Sequence, residues 1–254
     1  MRREYIDSMP NLHATWLSRL RQPWDAALQA LPSQCAICRR WPAERLCADC
    51  LARWAQASHR CLRCALHLPA PTPLCGACLR QPPSLAACVA AVDYAYPWQQ
   101  LIGDFKFRAD IGLARSLGRL LAEHAPAQPL LQSCDALIPV PASARRLRER
   151  GFDHTLLLAR ALSRQLPCSL EIRSHAVQRQ HTDMPQHVLS RHQRLRQLRG
   201  VFQVPPAHAE AIKSQHLLLF DDVMTTGATL NALAGSLLQA GAASVSALVI
   251  ARTP

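Results

Sequence analysis

From Ala86 onward the apolar positions change rhythm repeatedly, and each change marks an element. Ala86 to Tyr96, rich in Ala and Val, predicts a strand. Helical spacing follows over Trp98–Phe107 and again over Ile111–His124, where Leu113, Leu117, Leu120 and Leu121 form one stripe and Pro126 and Pro129 end it. Ala136–Val140 is a short apolar run and predicts a buried strand; Thr155–Gln165 returns to helical spacing. Leu217–Phe220 is uninterrupted and apolar, the mark of a strand covered on both faces. A helix is expected over Leu230–Ala240, and a last buried strand over Ser244–Ala251. Strands that alternate with helices specify an α/β domain built on a parallel sheet, here residues 86–254.

Two segments fall outside this rhythm. Leu12 to Leu31 repeats apolar residues near helical spacing (Trp16, Leu17, Leu20, Trp24, Ala27, Leu28, Leu31) and stops at Pro32. This predicts an amphipathic helix within residues 1–34, suited first to packing on the rest of the chain and otherwise to docking a membrane surface or a partner. Gln178 to Gln203 lacks strong apolar strands and holds Arg179, Arg191, Arg194, Arg196 and Arg199 with His181, His187 and His192. It reads as a long, partly helical, exposed excursion of the kind that serves as a lid or binding loop.

The cysteines add a third region. Eight of the 11 fall in four Cys-x-x-Cys pairs: Cys35/Cys38, Cys47/Cys50, Cys61/Cys64 and Cys75/Cys78. A two-residue gap lets both thiolates reach one ion while backbone amides turn toward the sulfurs. Two pairs complete a tetrahedral four-thiolate site, so four pairs predict two structural Zn2+ sites in residues 35–82. Sequential pairing is simplest; interleaved pairing stays open. Iron–sulfur clusters use tighter ligand runs. His59 and His67 are expected at the surface, and Cys88, Cys134 and Cys168 as small packed hydrophobes. Pro82–Pro83 reads as the linker to the α/β domain.

The net charge of +12, carried almost wholly by arginine, fits a polyanionic partner such as nucleic acid or a phosphorylated ligand. No apolar core follows Arg2 and Arg3, and no run is long enough to span a bilayer. A cytoplasmic location without a stable membrane span is therefore expected.

The chemistry concentrates in Leu217–Thr229, LLLFDDVMTTGAT. The acid pair Asp221–Asp222 is expected at the carboxyl end of its strand, the edge where open α/β sheets bind ligands. Thr225, Thr226, Gly227, Ala228 and Thr229 form a small-residue turn that feeds a helix N-terminus. Such a turn presents N–H groups and the positive end of the helix dipole to a phosphate. One sugar's length away the two carboxylates can accept bonds from ribose hydroxyls, so the layout suits a ribose 5-phosphate. Upstream, Pro139-Val140-Pro141 ends a strand. It leads into Arg145, Arg146, Arg148 and Arg150, which are expected on a loop where they can clamp a diphosphate.

The thirteen-residue string resembles the phosphoribosyl-diphosphate (PRPP) signature of type I phosphoribosyltransferases. Together with the cysteine knuckles, the PVP turn and the stretch RERGFD, it resembles the ComF family of competence-related proteins from Cys35 onward. The resemblance implies a double zinc ribbon followed by a type I phosphoribosyltransferase-like domain, and a role in natural transformation and DNA uptake through single-stranded DNA. It assigns the ribose to Asp221 and Asp222, the 5-phosphate to Thr225–Thr229, and the diphosphate to Pro139–Pro141 with Arg145, Arg148 and Arg150. It also implies Mg2+ accompanying PRPP, and competence-machinery proteins as partners. The chain departs from the family where Asp153-His154 replaces Asn-Gln. It departs again in the segment with Arg179, His181, Asp183 and Gln186, and where Gln197 replaces Asn. Three readings follow: a PRPP-binding protein that handles single-stranded DNA, a working phosphoribosyltransferase with an unknown acceptor, and a nucleotide-sensing adaptor.

Overall fold

The computed structural model describes residues 33–179 and 201–254. The amphipathic segment Leu12–Leu31 and the basic cluster from His181 to Arg199, with Asp183, Gln186 and Gln197, lie outside the described residues. The chain divides between Ala48 and Asp49 into two compact units. The first contains a tight knuckle in which Ser33 and Ala43 exchange backbone hydrogen bonds of 3.0 and 2.7 Å, while the Ala36 N–H donates to the Arg45 carbonyl.

Short helix α1 (Ala48–Trp54) begins at that boundary, and α2 (Gly76–Arg80) lies in the second unit; each follows a cysteine knuckle. The α/β domain then runs β1 (Cys88–Asp93), α3 (Trp98–Phe107), α4 (Leu113–Ala122), α5 (Gln128–Ser133) and β2 (Ala136–Pro139). It continues through α6 (Ala144–Arg150), α7 (His154–Ser163), β3 (Gln178–Arg179), β4 (Phe202–Gln203) and α8 (Pro206–Ile212), and ends with β5 (His216–Met224), α9 (Ala228–Gln239) and β6 (Ser244–Arg252). The main sheet has the order β1-β6-β5-β2 with every pair parallel. β3 and β4 form a separate antiparallel pair, Arg179 opposite Phe202.

Burial follows from this order. β5 and β6 have neighbours on both sides, and Leu217–Phe220 and Ala247–Ala251 are fully enclosed. Each large apolar side chain among them contributes about 1.5–3 kcal/mol of burial. α9 covers one face with Leu230, Leu233, Ala234 and Leu237. α4 and α7 pack against each other so closely that a Cβ on Gly118 would sit 2.8 Å from the backbone of Ala161 and Leu162. Glycine lets these helix backbones meet near the carboxyl end of α7, the helix that opens with His154.

Three expectations change. The arginine run is a helix, α6, instead of a loop: Ser143 Oγ accepts from the Arg146 N–H at 3.3 Å and Gly151 ends the helix at φ 75°. Arg, Leu and Glu between these caps are good helix formers. β5 continues through the acid pair to Met224, because backbone pairing with Val249, Ala251 and Arg252 of β6 persists there. Cys88 is packed as expected, 3.5 Å from Met224 Sδ, but Cys134 is half-buried and Cys168 exposed. Among the described residues, no helix is long and apolar enough to cross a membrane.

Candidate ligand site and cysteine clusters

The cysteines assemble sequentially. Cys35, Cys38, Cys47 and Cys50 form one group and Cys61, Cys64, Cys75 and Cys78 the other, with the ligand atoms of each group within 4.8 Å of one another. None of the eight is in a disulfide. Cys38 Sγ lies 3.7 Å from Cys47 Sγ, and Cys64 Sγ 3.7 Å from Cys75 Sγ. A tetrahedron with Zn–S bonds of about 2.3 Å has sulfur–sulfur edges of about 3.8 Å, so both groups have the size of a zinc site. Backbone N–H groups point at the sulfurs: Cys75 donates to Cys61 Sγ at 3.3 Å, and Cys78 to Cys75 Sγ at 3.5 Å. Burial raises the Cys35 thiol, yet the N–H groups of Cys47, Cys38 and Ile37 outweigh it and bring the pKa down to about 6. The same contest, with N–H groups of Cys75, Arg63 and Cys64, brings Cys61 to about 7. These are four-cysteine groups able to hold zinc and compatible with zinc ribbons. His59 and His67 are exposed and outside both groups.

The second cluster is fastened to the sheet. Arg60 pairs with Asp93 at 2.8 Å, and the Cys88 N–H donates to the Leu62 carbonyl at 2.8 Å. Arg63 reaches the Leu85 carbonyl at 2.7 Å. Arg252, 8% exposed, donates from Nε to the Cys64 carbonyl at 3.0 Å and from Nη1 to Thr253 and the Met224 carbonyl.

At the carboxyl end of β5 the acid pair meets a shell of cations. Asp222 is 3% exposed; its Oδ2 carries the Lys106 ammonium and lies 3.4 Å from His154 Nε2. Asp221 is partly buried, and its Oδ1 accepts the Asp222 N–H at 2.9 Å. Ligand atoms of Asp221, Asp222 and His154 all fall within 4.8 Å of one another. Burial pushes Asp221 up to about 6 against the pull of Lys106, Arg146 and Arg179. Burial lowers Lys106 to about 8, Asp221 opposing and Arg150 and Arg146 adding. His154 falls to about 3, through burial first and then Arg150, Lys106 and Arg146, so its imidazole is neutral at physiological pH.

The neighbouring segments converge on this edge. The Val140 N–H donates to the Phe220 carbonyl at 2.9 Å, which ties the Pro139-Val140-Pro141 turn beside the acid pair. Thr225 and Thr226 are exposed, and Gly227 takes φ 75° as the N-cap of α9. That left-handed turn is where glycine is required. The expected five-residue loop is thus Thr225–Gly227, while Ala228 and Thr229 open the helix; Thr226 Oγ1 accepts the Ala228 N–H at 3.3 Å. On α6, Arg150 turns inward, its Nη1 2.9 Å from His154 Nδ1 and its guanidinium 5.0 Å over the Phe107 ring. Arg145 and Arg148 are exposed, and Arg145 pairs with Glu149 at 3.6 Å.

Sequence reasoning passed over Lys106 and His154 as site residues. Lys106 stands between Phe105, which is fully buried, and Phe107; a lone lysine at that position was the available signal. Asp153, one of the departures from the family pattern, caps α7 by accepting the Leu156 N–H at 3.0 Å.

A parallel sheet whose acid pair and glycine-capped helix share one carboxyl edge defines a type I phosphoribosyltransferase-like domain, and the phosphoribosyl transferase domain family matches residues 154–254. DNA utilization protein YhgH of Shigella flexneri is 35% identical over 237 residues, covering 88% of this chain and 98% of that protein. Competence protein F of Haemophilus influenzae is 31% identical over 210 residues, 82% of this chain and 90% of its own length. Competence protein ComFC of Bacillus subtilis is 35% identical over 118 residues, 46% of this chain and 44% of its own. The chain belongs to the ComF family.

Proposed function

We propose that this chain binds PRPP at the carboxyl edge of β5 and handles single-stranded DNA in the cytoplasm during DNA uptake. In this reading residues 35–82 form a double zinc ribbon that recruits competence-machinery proteins. The observation that carries the nucleotide reading is the convergence of two carboxylates with Lys106, Arg146, Arg150 and Arg179. A ribose flanked by a 5-phosphate and a 1-diphosphate needs acceptors at its hydroxyls and cations at both ends, and this edge supplies both.

Asp221 and Asp222 take the ribose hydroxyls, and the Thr225–Thr229 segment takes the 5-phosphate at the head of α9. The diphosphate lies toward Pro139–Pro141 and the inward-facing Arg150, with Arg145 and Arg148 farther out. Mg2+ suits the oxygen donors of Asp221 and Asp222, and when bound it would neutralise diphosphate charge. Lys106 occupies part of that role on Asp222 already, so the ligand has to displace the ammonium or share the carboxylate with it.

Calorimetric titration with PRPP in Mg2+ tests the site. The wild type binds, and Asp221→Asn weakens binding at least tenfold, about 1.4 kcal/mol, through the lost charged acceptor. Absence of heat with the wild type overturns the reading. The clustered cations would also stabilise a departing diphosphate, which favours a working transferase as the second reading. Diphosphate release from PRPP on addition of nucleobases separates the two.

A further inference from the structure

We propose that the outward face of α3 is a stacking track for single-stranded DNA, with Tyr96 and Phe107 as its base platforms and the exposed arginines of α6 as its phosphate contacts. This rests on the DNA-handling reading and places the strand on a surface.

α3 buries Trp98, Leu101, Ile102 and Phe105 beneath it. Its other side is bounded by two large rings left in water: Tyr96 is 61% and Phe107 74% exposed. Between them runs an open groove of about 460 Å³, floored by Gln99, Gln100, Gly103, Asp104 and Arg108. Both rings are braced from behind or beside. Trp54 meets Tyr96 edge-on with centroids 5.3 Å apart, and Arg150 lies over Phe107. A ring already held in place loses little freedom when a base stacks on it.

The lining decides the ligand class. Among the described residues no aliphatic side chain lines the groove, so it offers no pocket for the leucine or methionine anchors of a protein helix. Aromatic faces with carboxamides between them accept any base, and Asp104, the one carboxylate in that lining, is paired with Arg108 at 3.1 Å. Arg150 links Phe107 to α6, where Arg145, Arg146 and Arg148 are exposed. Aromatic platforms beside a cationic run are how proteins hold single strands without reading their sequence. The ten residues of α3 span about 15 Å, room for about four stacked nucleotides at roughly 3.4 Å each.

The test uses the full chain and a fluorescent oligothymidylate, with anisotropy read at several salt concentrations. Phe107→Ala and Tyr96→Ala each weaken binding about tenfold, while the slope of log affinity against log salt stays unchanged because no phosphate contact is lost. Phe107→Trp keeps wild-type affinity. Arg145→Gln with Arg148→Gln weakens binding and flattens the slope by about 0.7 per arginine. An oligonucleotide carrying 2-aminopurine is quenched by the wild type and not by Phe107→Ala. If the wild type binds DNA and both alanine variants bind equally well, the track is wrong and the DNA reading stands. If the wild type binds no single strand at low salt, both fall.

Discussion

The two cysteine clusters use the same two-residue gap within each pair and a similar ligand geometry, yet they are built into the chain differently. Around Cys35 and Cys38 the backbone bonds close within residues 33–45, as in Ser33 to Ala43 and Cys35 to Arg40. Around Cys61 and Cys64 one backbone bond and three arginine side chains reach outward, joining this cluster to Asp93, Leu85, Cys88 and Arg252 at the ends and flanks of β1 and β6. The first cluster orders the knuckle of Cys35 and Cys38, and its α1 meets α3 where the Trp54 carbonyl accepts from Trp98 Nε1 at 2.8 Å. The other is part of what orders the sheet edge. A metal motif in the sequence therefore announces a ligand set without announcing how much of the protein depends on it.

The sharpest way to break this comparison is to remove one thiolate from each. Cys61→Ser costs the α/β domain about 3 kcal/mol or more and lowers its melting midpoint by roughly 6–12 °C, since a metal held by these four thiolates would contribute folding energy. Cys38→Ser leaves that midpoint within about 2 °C. Calorimetry on the two variants checks it, and equal shifts would erase the distinction. Next in size is Arg252→Met, which keeps the stem and removes the donors to Cys64, Met224 and Thr253. The Met224 carbonyl keeps the Thr253 N–H at 3.1 Å, but the Cys64 carbonyl loses this donor, at a cost of about 1–3 kcal/mol read by urea unfolding. Smallest is Arg60→Gln. Asp93 is partly solvated, so losing that pair costs about 1 kcal/mol or less by the same measurement.

Much of the fold was legible because local and global signals agreed. The strand at Leu217–Phe220 and the helix at Trp98–Phe107 stand where apolar spacing put them. The sequential grouping of cysteines was the simplest reading of their spacing, and it is the one formed. The arginine helix α6 has no apolar stripe to mark it; its signals are the two caps, Ser143 and Gly151, and a lone glycine reads equally well as a bend in a loop. The acid pair is expected at the carboxyl end of its strand and stands near it, but the apolar run stops at Phe220 and gives no sign that pairing with β6 carries the strand on to Met224. Lys106 and His154 were illegible as site residues for a different reason: they arrive from α3 and α7, and only the folded sheet brings them to Asp222. The exposed aromatics Tyr96 and Phe107 carry no pattern in the sequence that separates them from core residues.

At Gly118 the α4 and α7 backbones touch with no room for even a methyl group. Since α7 opens with His154, which leans on both Asp222 and Arg150, an alanine at that crossing would shift imidazole, carboxylate and guanidinium together. A mutation screen would then score Gly118 as a binding residue although it faces no ligand, and such silent levers are to be expected wherever a helix is seated by the absence of a side chain.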